Sequence, residues 1–150
     1  MRILQIGYLN PFENYGGVEK YILNLSTSLH RSLDQKVDIL VADDKISENR
    51  YEFGKVISLK VPFFNTKFFF LSKYFYARKV RIWIIEHKSE YDIFHFHGDN
   101  GIVGKKCASR SVFTLHGISK NTKSLFNRLI STLPYRIEKN NAKMARKIFS

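Results

Sequence analysis

The sequence predicts an α/β fold in which helices cover both faces of a parallel β-sheet. Short apolar runs alternate with longer segments of helical periodicity along the chain, and a glycine loop links the first apolar run to the first helical segment. This alternation favours a parallel sheet, because each helical crossover returns the chain to the same end of the sheet. At 150 residues the chain is long enough for one domain with its own core.

The individual elements follow from these patterns. An apolar run from Ile3 predicts the first strand, and the polar passage at 43–53 predicts a loop. Further strands are predicted at residues 36–42, 56–61, 91–97, 111–116 and 147–150. Helices are predicted at residues 18–33, 68–88, 100–110 and 120–145. The sequence stops as a strand begins, which is typical of a chain that has been cut short.

The predicted helix at 68–88 is apolar on two sides. The face expected to pack on the sheet carries Leu71, Tyr74, Phe75, Ile82 and Ile85. The opposite face, near Lys73, carries Tyr76, Val80, Trp83 and Ile84. Such a helix has more apolar surface than one sheet face covers, so its second face is expected to meet anionic lipid, a partner protein or a further domain.

The formal net charge of +12 is concentrated in residues 67–88 and 120–147. Such clusters favour an anionic partner, either lipid headgroups or nucleic acid, and two solvated helix faces are the alternative. The single cysteine, Cys107, excludes an intrachain disulfide and indicates a reducing compartment. Because the sequence shows no signal peptide and no apolar run of about 20 residues, a cytoplasmic protein is predicted.

The loop after the first strand contains Gly16 and Gly17, and a helical pattern starts at Val18. At such a corner, backbone N–H groups can approach a phosphate closely, and the helix dipole favours its negative charge. The loop has neither the G-x-G-x-x-G dinucleotide fingerprint nor the G-K-[ST] of a P-loop. The alternative is a tight turn that needs a positive φ at one glycine.

Four segments in this order resemble one family: Gly-Gly-Val-Glu at 16–19, Tyr-Asp-Ile-Phe-His-Phe-His-Gly at 91–98, Phe-Thr-Leu-His-Gly at 113–117, and Ala-Arg-Lys-Ile-Phe-Ser at 145–150. They resemble the nucleotide-sugar glycosyltransferases of the two-domain GT-B type, in the retaining family 4. The resemblance covers the whole chain but only the N-terminal, acceptor-side half of such an enzyme. It implies that residues 1–150 form one Rossmann-like domain and that the C-terminal nucleotide-sugar-binding domain is absent.

The resemblance also implies roles for particular residues. His116 is the implied catalytic residue, because the matching family histidine faces the transferred sugar, and Gly16 and Gly17 are implied to bind the donor phosphate. The acceptor cleft is implied to be lined by Glu19, His97, Gly98, Asp99 and Gly117. Three alternatives stay open: Glu19 complements the helix dipole, Asp99 caps the next helix, and His116 is structural.

His95 and His97 point to one face of their strand and, with Asp99, Cys107 and His116, suggest a metal site. Their spacing matches no zinc pattern, and enzymes of the GT-B type as a rule need no metal. We therefore predict no metal and no cofactor, and we expect His95 to belong to the core.

Residues 78–83, Arg-Lys-Val-Arg-Ile-Trp, resemble the corresponding segment of membrane-associated lipid mannosyltransferases in the same family. The residues implied to contact the membrane are Lys73, Arg78, Lys79, Arg81 and Trp83. The resemblance thus implies peripheral attachment to the inner face of the membrane.

The implied activity is transfer of a sugar from a nucleotide-diphosphate sugar to a lipid-linked or glycan acceptor. No carboxylate in the chain is an evident nucleophile, which fits a mechanism based on positioning and electrostatics. Without a donor-binding domain, in cis or from a separate chain, we expect no turnover. The alternative is a non-enzymatic α/β domain that binds nucleic acid through its two basic segments.

Overall fold

The computed structural model of the chain describes residues 1–13, 16–105, 107–116 and 125–149. Strands and α-helices follow one another along these residues in the order β1 (Arg2–Ile6), α1 (Gly17–Leu33), β2 (Lys36–Asp43), β3 (Ser47–Tyr51), β4 (Gly54–Lys60), α2 (Phe69–His87), β5 (Ile93–His97), β6 (Ser111–Thr114), α3 (Leu125–Met144) and β7 (Lys147–Phe149). A single 3₁₀ turn, Ala108–Arg110, precedes β6.

The described strands form one sheet in the order β3-β4-β2-β1-β5-β6-β7. All neighbouring strands are parallel except β3, which pairs antiparallel with β4. The predicted α/β fold is therefore confirmed, with β1 at the centre of the sheet. The order runs outward from β1 in both directions, which places successive crossovers on opposite faces.

Each face of the sheet has its own apolar cluster. One cluster joins α1 to the sheet and contains Ile3, Ile22, Val37, Ile39, Val41, Phe53 and Val56. The other lies under α2 and the C-terminal end of α3, and its largest fully buried side chains include Tyr76, Phe94, Phe96 and Phe113. Helices therefore cover both faces, and the sheet edge remains as the place where loops gather.

Two element predictions were wrong. The passage at 43–53 contains β3, an edge strand whose polar side chains are largely exposed, so no apolar alternation marks it. In the described part of 100–110, which leaves out residue 106, the predicted helix is absent except for the 3₁₀ turn, because Gly101 and Gly104 disfavour a helix and Gly101 has a φ of +119°.

Helix α2 packs with the opposite face from the one expected. Tyr76 and Val80 are fully buried against the sheet, whereas Ile82 is 56% exposed. The small side chains of Ser72 and Ala77, both fully buried, let this face approach the sheet closely. The face assigned to the sheet from the sequence is instead the exposed one.

Candidate functional site

The carboxyl ends of β1, β5 and β6 lie side by side at one edge of the sheet. In the parallel register Ile6 is opposite Phe96, and His97 is opposite Thr114. Helix α1 begins at the same edge, after the loop that follows β1. Ligands of open α/β sheets bind in the crevice outside these strand ends, so this edge is the candidate site.

An open cavity of about 410 Å³ occupies this edge. Five of the residues predicted for the acceptor cleft or for catalysis border it: Glu19, His97, Gly98, Asp99 and His116. The strand ends and the first turn of α1 thus bring together residues that are up to 97 positions apart. Gly117 lies outside the described residues.

Two histidines form the floor of this cavity. His97 is fully buried, and its Nδ1 lies 2.9 Å from Nε2 of His116. The other ring nitrogen of His97, Nε2, lies 2.9 Å from Oε1 of Gln5. The ring edge of Tyr21 contacts both imidazoles, at centroid distances of 5.8 Å and 5.1 Å.

The surroundings of these rings keep them neutral at pH 7. Burial, with smaller contributions from His95 and His116, lowers the pKa of His97 well below its ordinary value. Burial also lowers the pKa of His116, and the nearby carboxylate of Glu19 partly opposes this effect. His95, which burial holds at a pKa of about 4, hydrogen-bonds to Oγ1 of Thr114 at 2.7 Å and is a core residue.

Asp99 forms an ion pair across the cavity. Its two carboxylate oxygens lie 3.0 Å and 3.1 Å from Nζ of Lys73, which comes from α2. No helix begins near Asp99, so the alternative role as a helix cap is wrong. Lys73, expected at the membrane, instead borders the cavity, where it balances one carboxylate.

Glu138 is a cavity residue that the sequence reasoning missed. It reaches the cavity from α3, and burial together with the charge of Asp99 raises its pKa, an effect that Lys73 partly opposes. The sequence signal was that Glu138 is the single acid among the cations of residues 120–147. Tyr8, which directly follows the first strand region, was missed as well.

Gly98 turns the chain sharply after β5. Its φ of +58° lies in the left-handed region, where L side chains are strained. Its amide continues the ladder by donating to the carbonyl oxygen of Thr114 at 2.9 Å. The turn returns Asp99 to the cavity beside His97.

The two glycines at the start of α1 have ordinary backbone angles. Gly16 is the N-cap residue, with φ −66° and ψ 163°, and Gly17 is the first helical residue. Neither has a positive φ, so the alternative of a turn that requires one is wrong. A Cβ added to Gly17 would meet nothing within 4 Å, whereas one added to Gly16 would lie 2.1 Å from a carboxylate oxygen of Glu19.

The cations expected at the membrane have different surroundings. Arg78 and Arg81 are exposed, and Lys79, also exposed, donates to the carbonyl oxygen of Lys60 at 2.6 Å. Trp83 is half-buried and stacks on His87 with ring centroids 4.0 Å apart, so it packs on its own helix and the core. Within the described ranges, no helix is long and apolar enough to cross a membrane.

No group of three or more histidine, cysteine or acidic side chains among the described residues could hold a metal ion. His97 and His116 instead use facing nitrogens for a hydrogen bond to each other. The prediction that the chain needs no metal stays a prediction.

The model of the family described as Glycosyltransferase Family 4 matches residues 15–150. The chain belongs to this family. The resemblance predicted from the four sequence segments is thereby confirmed. The cavity belongs to the part of the chain that matches family 4, because the matched region contains every cavity residue discussed above except Tyr8. No curated protein matches the sequence of this family 4 chain.

Among solved structures, the family 4 chain is similar to sucrose-phosphate synthase from Thermosynechococcus elongatus, with a TM-score of 0.58 and 16% sequence identity. The match covers 87% of this chain and 39% of the synthase chain. At this identity the likeness shows the fold alone, and it confirms a Rossmann-like half of the GT-B type. The chain thus spans less than half the length of this relative.

Proposed function

We propose that the chain is the N-terminal, acceptor-side domain of a retaining glycosyltransferase. It would transfer a sugar from a nucleotide-diphosphate sugar to a lipid-linked or glycan acceptor. One observation carries the proposal: His116, Glu19 and Asp99 border one cavity beside the start of α1, in a chain of glycosyltransferase family 4. The same family membership favours this function over the alternative of nucleic-acid binding.

The charges that border the cavity suit hydroxyl groups better than phosphates. Among the described residues that border the cavity, three carboxylates, those of Glu19, Asp99 and Glu138, face one lysine, Lys73. Carboxylates accept hydrogen bonds from sugar hydroxyls but repel a diphosphate. We assign the sugar and the acceptor to this wall of the cleft.

The donor phosphate has a separate place at the start of α1. Gly16 forms no side-chain cap, so backbone N–H groups of the first turn remain for a phosphate. The open space above Gly17 would admit it. Since this contact alone leaves most of the diphosphate charge unmatched among the described residues, the proposal assigns further cations to a second domain, in cis or from a separate chain.

His116 has the role of a neutral hydrogen-bonding group beside the transferred sugar. A neutral imidazole can bind a sugar hydroxyl through one nitrogen while the other is held by His97. The role that the family resemblance implies for Gly117 stays part of the proposal, since this residue lies outside the described ranges. The protein would then lower the barrier through position and electrostatics, with no metal and no covalent intermediate.

A peripheral membrane surface on α2 is part of this proposal. The packing of α2 changes which residues belong to this surface. Arg78 and Arg81 are exposed beside Ile82 and Ile85, which also face outward. Arg81 and Lys88 border a second, largely apolar cavity of about 530 Å³ between α2 and α3. Exposed cations next to aliphatic side chains suit an anionic lipid surface.

Residues 1–150 alone should not release nucleotide from a sugar donor, because in this proposal the other half of the cleft belongs to a second domain. The measurement is the release of UDP or GDP from UDP-glucose and GDP-mannose, with His116→Ala as the background control. We expect wild-type and variant to be indistinguishable. Release by the wild-type chain that His116→Ala abolishes would show that one wall is sufficient, and would overturn the proposal of a two-walled site.

A further inference from the structure

A buried line of hydrogen bonds leads from α1 to the cavity. It runs from Ser26 through Gln5 and His97 to His116. The first three side chains are fully buried, so water does not compete for their hydrogen bonds. The donor and the acceptor of each bond can therefore be assigned, starting from groups that can only accept a hydrogen bond.

The fixed end of the line is in α1. The hydroxyl of Ser26 donates to the carbonyl oxygen of Ile22 at 2.8 Å, because a carbonyl oxygen can only accept. Oγ of Ser26 must then accept from Nε2 of Gln5, which lies 2.7 Å away. The same Nε2 also approaches the Ile22 carbonyl at 3.4 Å. The amide of Gln5 is thus oriented with Oε1 toward His97.

The proton positions on both histidines follow. Oε1 of Gln5 is an acceptor, so Nε2 of His97 carries the proton that bridges their 2.9 Å separation. A neutral His97 has no second N–H, and its Nδ1 must accept. The proton in the 2.9 Å contact between the two rings therefore belongs to Nε2 of His116.

We propose that Gln5 and Ser26 are positioning residues that fix His116 in the Nε2–H form, with Nδ1 left as a hydrogen-bond acceptor for a hydroxyl group of the ligand. Among the described residues, His116 has no hydrogen-bond partner other than His97, and it borders the cavity. The groups around it are Glu19, Tyr21 and His95. The role toward a sugar hydroxyl rests on the proposed function, whereas the fixed proton positions do not.

Ring-nitrogen NMR of the ¹⁵N-labelled chain at pH 7, without any sugar, tests this directly. Two-bond ¹H–¹⁵N correlations distinguish the Nε2–H and Nδ1–H forms. We expect both His97 and His116 to be Nε2–H in the wild-type chain. Finding His116 as Nδ1–H would mean that the whole line runs in reverse, and would overturn the proposal.

Ser26→Ala tests the anchor of the line. Alanine suits a helix interior, so α1 should remain folded while the amide of Gln5 loses its orientation. The Nδ1–H population of His116 should rise by roughly tenfold, the effect of losing one net hydrogen bond. Gln5→Met, which removes the acceptor at similar volume, should act in the same direction.

Ser28→Ala is the matched control, since Ser28 is an exposed residue of the same helix. It should leave both populations unchanged. An unchanged spectrum in Ser26→Ala would overturn the role of Ser26. Because no sugar is present, the result does not depend on the proposed function. The proton positions can be as expected in a chain that binds no donor, and they can differ in a chain that binds one.

Discussion

Gly16 and Gly17 are adjacent, yet their side-chain positions have opposite surroundings. The carboxylate of Glu19 occupies the space beside Gly16, while the position above Gly17 is open. A substitution at Gly16 would therefore displace Glu19 from its place, whereas one at Gly17 disturbs no described atom. Gly16 is therefore a glycine that the structure itself requires, whereas at Gly17 a requirement for glycine would come from a ligand.

Gly17→Ala should leave the fold intact and weaken donor binding. Alanine in a helix is more favourable than glycine by at most about 1 kcal/mol, so the free energy of unfolding should stay equal or rise slightly. A methyl group at this position would obstruct a phosphate that approaches the backbone. Urea unfolding followed by circular dichroism, together with NMR titration of UDP-glucose, measures both effects.

The result that contradicts this account is a Gly17→Ala chain that binds UDP-glucose as well as the wild-type chain does. Gly16→Ala is the comparison, because its effect on binding would act through Glu19. A loss of stability in Gly17→Ala would equally be unexpected, since nothing described lies within 4 Å of the new methyl.

Some cavity residues could be predicted from the sequence and others could not. His97 ends β5, and Asp99 and His116 come two residues after the ends of β5 and β6, so their meeting at one edge follows from parallel topology. Lys73 comes from the second turn of α2 and Glu138 from α3, and no local pattern tells which helical position faces a cavity. Their contribution depends on tertiary packing.

At the level of elements, α2 shows why a helix with two apolar sides is ambiguous. Residues 72, 76, 80 and 84 form one stripe, and the opposite side carries comparable apolar bulk at Leu71, Ile82 and Ile85. The buried face is distinguished by the hydroxyl of Tyr76, which donates to the carbonyl oxygen of Leu40 at 2.7 Å, and by the small, fully buried Ala77 beside it. Apolar periodicity alone contains neither signal.

The exposed face of α2 should bind anionic vesicles. In cosedimentation at physiological salt, the chain should bind phosphatidylcholine–phosphatidylglycerol vesicles but not pure phosphatidylcholine. Each basic residue near such a surface contributes about 1 kcal/mol. Arg78→Glu with Arg81→Glu should therefore weaken binding by at least about thirtyfold.

Lys36→Glu with Lys45→Glu is the matched control, because both lysines are exposed and outside α2. If this pair weakens binding as much as the α2 pair does, the surface is not specific to α2. Tighter binding to single-stranded DNA than to vesicles, with a steep salt dependence, would instead support the nucleic-acid alternative.

At the level of the whole molecule, strand–helix alternation was enough to predict the sheet, because parallel topology admits few arrangements. The antiparallel edge strand β3 and the irregular connection between β5 and β6 were not predictable in the same way. An edge strand needs no apolar pattern. The segment between β5 and β6 has helical spacing, but Gly101 and Gly104 interrupt it. The site edge was unaffected by either error.

The proposed function depends on the same edge, which would form one wall of a sugar-transfer cleft. Its described residues offer carboxylates, a neutral histidine and a helix start, and the proposal assigns the cations for a diphosphate to a second domain. The chain spans 39% of the length of sucrose-phosphate synthase, which leaves room in a relative of this kind for another domain.

The most direct test is an amide ¹H–¹⁵N map of the chain titrated with UDP-glucose and with GDP-mannose, against sodium chloride at equal ionic strength. We expect weak binding with shifts at Gly16, Gly17, Glu19, Gly98 and His116. Shifts confined to the exposed cations of α2, or no shift at the cavity residues at the highest soluble donor concentration, would contradict the account.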